Sequence, residues 1–347
     1  MKTILERIDT RYGSNNCHAY SNGNTLPYTG TPFGMNYFVP QTTDNPGNMV
    51  FNPTIPYFPR HTIDPPSKPL DWRLCLAFTD PCYREHHAIS LYHRQSSYRP
   101  NKATFNPHHL AIHSERYQIT TELTPTTYGA CLKVNSVRQQ ELSLFLHSEK
   151  GSSFEQIDPY SLRGYVQDVT ETTRKPITLY VHLRFDKPIA AVSQLETDTV
   201  IEFASPDIEV QLGTSYISYD QASFNTPNLP FEDCKNQAKE DWNHYLHRFD
   251  LVDDGGYDTR MFHHALYRTF LFPQTFYELD PKGQEIHLDL ASNQVRLGKF
   301  LPIMDFGTLS ALLFPFCLCR TRAVYCFLRG ISSLLPRNRL LTKMART

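Results

Sequence analysis

The chain has almost no net charge. Across 347 residues, 34 Lys and Arg stand against 35 Asp and Glu, leaving −1 at pH 7. That balance gives no global steering toward nucleic acid, a membrane surface or an acidic substrate. Eight cysteines are present without a CxxC pair or a zinc spacing, and Cys317-x-Cys319 is too tight for the usual ligand pattern. An export signal is also missing, because Glu6 and Asp9 interrupt MKTILERIDTRYG where the apolar run belongs. A cytoplasmic protein with reduced cysteines is therefore expected. The most apolar stretch, residues 309–335, is broken by Arg320, Arg322 and Arg329 and falls short of the ~20 residues a spanning helix needs. A basic amphipathic anchor at a membrane surface is the alternative for it. Glycine is scarce beside proline, 15 against 25, while aromatic residues make up 13%, which suits strands and loops more than helices.

Gly23 to Met35, GNTLPYTGTPFGM, is the stretch on which the chain is organised. Three glycines and two prolines in thirteen residues exclude a helix interior. Glycine reaches φ values other residues avoid, and proline fixes its own φ and removes a donor. The result is a stiff double turn presenting Asn24, Thr25, Thr29 and Thr31, short polar side chains suited to a hydroxylated ligand. Composition alone also fits a plain structured loop.

This stretch resembles the opening motif of glycoside hydrolase family 92, the calcium-dependent exo-acting α-mannosidases, where a similar segment shapes the sugar pocket. Ile8 to Gly13, IDTRYG, and Tyr37 to Asp44, YFVPQTTD, are similar to the same opening. A second match, Phe262 to Leu279, FHHALYRTFLFPQTFYEL, resembles the family's first barrel helix and the strand after it. The resemblance implies a mainly β fold, a large N-terminal β-sandwich followed by a linker helix and the first helix of a truncated (α/α)6 barrel.

The pattern between these matches agrees. Period-two runs with β-branched and aromatic residues mark strands at Tyr117–Thr120, Ala130–Val134, Glu141–His147, Tyr165–Val169, Ile177–Phe185, Ala190–Gln194, Val200–Phe203 and Ile208–Ser215. Short strands at such spacing indicate an all-β sandwich. From Phe231 to Phe249 the period changes to helical, with Cys234, Ala238, Trp242, Tyr245 and Leu246 on one face and acids at the start. After an Asp253-Asp254-Gly255-Gly256 turn, Tyr257–Phe272 reads as a second helix with Phe262, Leu266, Thr269 and Phe270 on one face, stopped by Pro273. The expected domains are a sandwich over 1–230, a linker helix over 231–256, the start of the barrel over 257–300, and a tail over 301–347.

Two segments depart from the family pattern. In residues 56–87, Pro56, Pro59, Pro65, Pro66 and Pro69 break regular structure, where the family has a pocket-lining segment. Synonymous codons can be chosen for Pro56–Ala77 that yield PIFQGIRLTHQASPWIGDFA, a family-like segment, when one nucleotide is dropped. Codons can likewise be chosen for Leu301–Ala311 that yield TDNGFWDTFR, the family's next motif, when two are dropped. The resemblance thus implies that 56–87 and 301–347 are read out of frame. Five of the eight cysteines (Cys75, Cys82, Cys317, Cys319 and Cys326) fall in those segments, and no Asp or Glu follows Asp305.

Inverting glycoside hydrolysis needs a carboxylic acid to protonate the leaving oxygen and a carboxylate to activate water. In the family both, together with the calcium ligands, come from the barrel beyond this chain. No catalytic or metal-ligating residue is therefore expected, and no calcium bound by this fragment. Asp253/Asp254 and Glu278/Asp280 are carboxylate pairs in expected turns or helix-exit loops. His108, His109 and His113 match no metal motif. Gly23, Asn24, Thr25 and Thr31 carry over from the family's pocket-forming loop as substrate-binding residues, while Pro32 and Gly34 are explained by backbone restriction alone. Mannose-containing glycans are the expected partners, with no nucleic acid or membrane. The readings are a glycoside hydrolase fragment inactive by itself, a carbohydrate-binding sandwich module, for which two tryptophans make a sparse aromatic platform, and a basic-tailed membrane-surface protein.

Overall fold

A computed structural model describes residues 3–14, 26–40, 60–64, 74–79, 96–148, 152–169, 176–195, 198–249, 256–271, 274–290 and 292–300. Two antiparallel sheets dominate. The first runs β1 (Tyr37–Pro40), β2 (Arg60–Asp64), β3 (Leu74–Thr79), β8 (Leu142–His147), β13 (Asp198–Phe203) and β12 (Ala191–Leu195) from edge to edge. The second runs β4 (Thr104–Asn106), β5 (His109–Ser114), β6 (Ile119–Pro125), β7 (Gly129–Ser136), β14 (Asp207–Ser215), β11 (Pro176–Phe185), β10 (Ser161–Val169) and β9 (Ser152–Asp158). The mainly β fold class expected from the sequence is the one observed.

Alternation explains the packing. Ile208, Val210 and Leu212 on β14 are buried, as are Ile177, Leu179, Val181, Leu183 and Phe185 on β11. They join Leu142, Leu144, Leu146, Ile201 and Phe203 of the first sheet in one core. Period two places each set on a single face, so two inner faces share one apolar layer. β8 is buried on both faces, since Phe145 and Val200 form a separate small cluster away from that layer. Strands β2 and β3 lie within the proline-rich segment 56–87. Pro59 precedes β2 and Pro65 follows it, so the prolines bound the strands instead of interrupting them.

Two strand boundaries differ from the sequence reading for local reasons. Tyr117–Thr120 is not one strand: residues 115–118 form the turn joining β5 to β6, and Gln118 adopts φ 55° there with its N–H on the Ser114 carbonyl at 2.8 Å. Strand β9 carries a polar sequence, SSFEQID, with only Phe154 buried, and so shows no alternation to read.

Helices cover the outer face of the eight-stranded sheet. A single turn, α1 (Ile4–Arg7), is closed by a capping box between Thr3 and Glu6. Helix α2 (Tyr219–Phe224), capped by Ser218, packs on β11 and β14. Gly213 permits that approach, because a Cβ there would lie 2.4 Å from the Ala222 carbonyl. Helix α3 (Phe231–Leu246) buries Phe231, Cys234, Ala238, Trp242 and Leu246 against β6 and β7. The i, i+3/i+4 spacing puts these on one stripe, and each large member contributes roughly 1.5–3 kcal/mol by burial. Helix α4 (Tyr257–Thr269) follows and buries His263, His264, Leu266 and Tyr267, with Phe270 just beyond. That stripe is rotated from the expected one: Phe262 is only partly buried, and the two histidines take inward positions. A small sheet of β15 (Glu278–Leu279), β16 (Glu285–Asp289) and β17 (Gln294–Leu297) closes the described chain. Among the described residues, no helix is long and apolar enough to cross a membrane, which says nothing of a β-barrel.

Candidate functional site

The described part of the opening loop, residues 26–36, sits where the sandwich meets α3 and α4. Its backbone is held from several sides. Thr29 exchanges two hydrogen bonds with Phe38, at 2.8 and 2.9 Å. Gly30 donates to the Pro107 carbonyl at 2.9 Å, and its own carbonyl accepts from Trp242 Nε1 at 2.8 Å. A Cβ on Gly30 would lie 2.2 Å from the Tyr37 ring, so only glycine lets that ring close over the loop.

The helical side supplies further clamps. Tyr267 donates its hydroxyl to the Tyr28 carbonyl at 2.5 Å, and Tyr37 donates to the Leu271 carbonyl at 2.6 Å. Arg268 reaches the Leu26 carbonyl through Nη1 and the Thr10 and Tyr12 carbonyls through Nη2. One guanidinium thereby ties the loop to the IDTRYG segment. Burial pushes both the Tyr37 and the Tyr267 hydroxyl well above the usual phenol range, so both remain donors at neutral pH.

Phe33 occupies the left-handed region at φ 56°, costly for a bulky side chain. Its neighbours hold it there. Its N–H donates to the Phe270 carbonyl at 2.8 Å, and its carbonyl accepts from Thr275 N at 3.1 Å and Thr275 Oγ1 at 2.7 Å. The ring packs edge-on to Tyr245 and Phe270, at 5.4 and 5.8 Å. Asn36 donates Nδ2 to Thr214 Oγ1 at 2.6 Å.

Of the four expected substrate-binding residues, Gly23, Asn24 and Thr25 lie outside the described residues. Thr31 is 3% exposed, and its Oγ1 is a buried oxygen with no hydrogen bond among the described residues. A Cβ on Gly34 would fall 2.7 Å from that oxygen, so glycine leaves the space in front of the hydroxyl open. An unpaired buried hydroxyl costs free energy unless something meets it.

Of the other polar candidates, His109 and His113 have ordinary partners, while Nδ1 of the buried His108 has no hydrogen bond among the described residues. His109 Nε2 meets Glu122 Oε2 at 2.9 Å across β5 and β6, and His113 Nδ1 meets Thr120 Oγ1 at 3.0 Å. His108 is buried, and burial foremost, with His109 and the lysines at 235 and 239 adding to it, lowers its imidazole to about 3. Among the described residues no three His, Cys, Asp or Glu side chains converge as metal ligands.

Glu278 differs from the sequence reading. It opens β15 instead of sitting in a loop, is 1% exposed, and accepts from Tyr216 N at 2.9 Å and Asn225 Nδ2 at 2.7 Å. Burial raises its carboxyl above the usual range against those hydrogen bonds. It joins the end of β14, α2 and the chain after α4, a structural role the sequence did not signal. Its neighbour Asp280 lies in an exposed turn, accepting from Lys282 N and Gln284 N. Asp253 and Asp254 lie outside the described residues.

Residues 220–299 match the model of the glycosyl hydrolase family 92 catalytic domain. Solved structures extend the likeness to the fold. One is a family GH92 inverting mannosidase from Bacteroides thetaiotaomicron, with a TM-score of 0.75 and 22% identity over 87% of this chain and 44% of that one. Another is a family GH92 α-mannosidase from the same bacterium, at 0.69 and 16% over 86% and 45%. A third structure is of that mannosidase in complex with mannoimidazole, at 0.68 and 15% over 86% and 44%. The chain therefore spans less than half the length of the structures it matches. A search of curated protein sequences gave no match.

Proposed function

We propose that this chain is the N-terminal part of an exo-acting α-mannosidase of glycoside hydrolase family 92, contributing one wall of the sugar pocket and no catalytic group. The observation that supports it best is the family match over 220–299 joined to a sandwich whose opening loop is fastened to that same region through Trp242, Tyr267 and Arg268. In this reading the complete enzyme removes terminal α-1,2-linked mannose from mannose-containing glycans and depends on calcium. Calcium, when bound, supplies help in holding sugar hydroxyls, through ligands outside this chain. By itself the chain binds no calcium and hydrolyses nothing.

What this chain's own residues do is bind and orient. Gly23, Asn24, Thr25 and Thr31 are the proposed sugar-binding residues, of which Thr31 carries a buried hydroxyl with no hydrogen bond among the described residues. The clamps around Gly30 and Phe33 hold residues 26–36 in place, which lowers what ordering them costs on substrate binding. Segments 56–87 and 301–347 are read out of frame in this proposal. Sequencing the gene across codons 50–95 and 295–310 tests that directly: single-nucleotide differences that restore FQGIRLTH and TDNGFWDT are expected, and an unchanged reading frame contradicts it. The functional test is mannose release from α-1,2-mannobiose by the frame-restored enzyme, with none from the chain as it stands.

A carbohydrate-binding module without catalysis is the second reading, and one surface favours it. On the outer face of the eight-stranded sheet Tyr165 and Tyr180 are opposite in register, and the Tyr219 ring stands 4.8 Å from that of Tyr180. Arg163 lies 5.1 Å over Tyr219 and pairs with Glu155 at 2.6 Å. Half-buried rings edged by polar groups are what a sugar face meets. Titration with mannose oligosaccharides, comparing the chain with its Tyr180→Ala variant, distinguishes the readings: saturable binding lost in the variant supports the module.

A further inference from the structure

Two free cysteines among the described residues are buried together. Cys131 on β7 and Cys234 in the first turns of α3 are 1% and 2% exposed. With Phe231 they form a closed cluster of their own, separate from the main core. Cys131 points to the outer face of the sheet, opposite to Ala130 and Leu132, and so meets the helix laid across that face. We infer that Cys131 and Cys234 are a thiol pair built to close into a disulfide that locks α3 onto the eight-stranded sheet.

The chemistry divides between them. The thiolate is the nucleophile in disulfide exchange. Cys131 donating toward its neighbour lowers Cys234, and the same contact together with burial pushes Cys131 far up. Cys234, near the N-terminus of α3 where the helix dipole favours a thiolate, is the attacking group, and Cys131 in the strand is the resolving one. With a low-molecular-weight disulfide such as oxidised glutathione as co-reactant, Cys234 Sγ attacks one sulfur and expels the first glutathione thiolate. Cys131 Sγ then attacks Cys234 Sγ and expels the second. The two thiol protons pass to the two departing thiolates, so one disulfide is consumed, one is formed, and two glutathione molecules leave. Because both sulfurs are covered by α3, attack waits on the first turns of the helix lifting, which makes the reaction slow until the helix loosens.

Cross-linking closes a loop of about a hundred residues, which restrains the unfolded chain strongly. It also fixes the helix that carries Trp242, the side chain that holds the Gly30 carbonyl of the opening loop. The test is to incubate the full chain with graded ratios of oxidised to reduced glutathione, alkylate the remaining thiols, and map peptides by mass. A linked peptide pair containing Cys131 and Cys234, two mass units lighter than the reduced pair, is expected, with a rise of several degrees in thermal midpoint. In Cys131→Ala, Cys234 is expected to stop at the glutathione adduct. Wild-type maps in which both cysteines remain alkylated, or are linked only to other cysteines, overturn the inference without recourse to any variant. So does a linked pair that forms only after denaturation.

Discussion

Thr31 is the residue at which a structural and a functional role separate most cleanly. Its hydroxyl is buried without a partner among the described residues, so it adds nothing to the loop's own stability. Thr31→Val is expected to leave the thermal midpoint unchanged or slightly higher, and to weaken mannoside binding by the restored enzyme several-fold. An unchanged affinity removes Thr31 from the site. Gly30 behaves in the opposite sense. A methyl group there meets the Tyr37 ring, so Gly30→Ala is expected to lower stability by about 1–3 kcal/mol in denaturant unfolding, the range for an overpacked core position. His108 sets a pH dependence. Its folded imidazole titrates at about 3 against an ordinary 6.5, so the unfolded chain binds the proton more readily. Stability from this group is complete above pH 6.5 and is lost as pH falls from there toward 3. Wild type is expected to lose thermal midpoint between pH 7 and 5, and His108→Gln to flatten part of that slope. A slope identical in the variant contradicts this origin.

Elements differ in how much of them the sequence disclosed. Strands such as β11 and β14 were legible because buried and less buried side chains alternate over residues 207–212 of β14 and over β11 except at the buried His182. Edge strand β9 was not, because water on one side and polar residues throughout erase the period. Helix α2 has six residues, too few to show a 3.6 period, and only its Ser218 cap hinted at it. Helix α3 was legible from its stripe, yet its function was not: Trp242 reads from sequence as a core aromatic, and in space it is also the donor that fixes Gly30. Trp242→Phe keeps most of the burial and removes that bond. It is expected to cost about 1–2 kcal/mol in stability, with protease sensitivity rising first in residues 26–36. Cleavage confined to other loops contradicts the coupling. The substrate side proposed for the site rests only on resemblance, since Asn24 and Thr25 in a glycine- and proline-rich turn have no period or spacing that distinguishes a ligand from a turn.

At the scale of the whole molecule, the sandwich and the α3–α4 region form one packed body through the opening loop. The chain covers less than half of its structural relatives, and in the proposed reading the acid, base and metal ligands lie outside it. The pocket in this account is therefore shared between two halves of one protein, with binding groups here and acid, base and metal ligands beyond. The measurement that tests this most directly is mannose release from α-1,2-mannobiose by the frame-restored, full-length enzyme, with a calcium chelator and after calcium is returned. The account expects turnover that the chelator abolishes and calcium restores, and none from the 347-residue chain under any of those conditions. Chelator-insensitive turnover, or hydrolysis by the short chain alone, contradicts it.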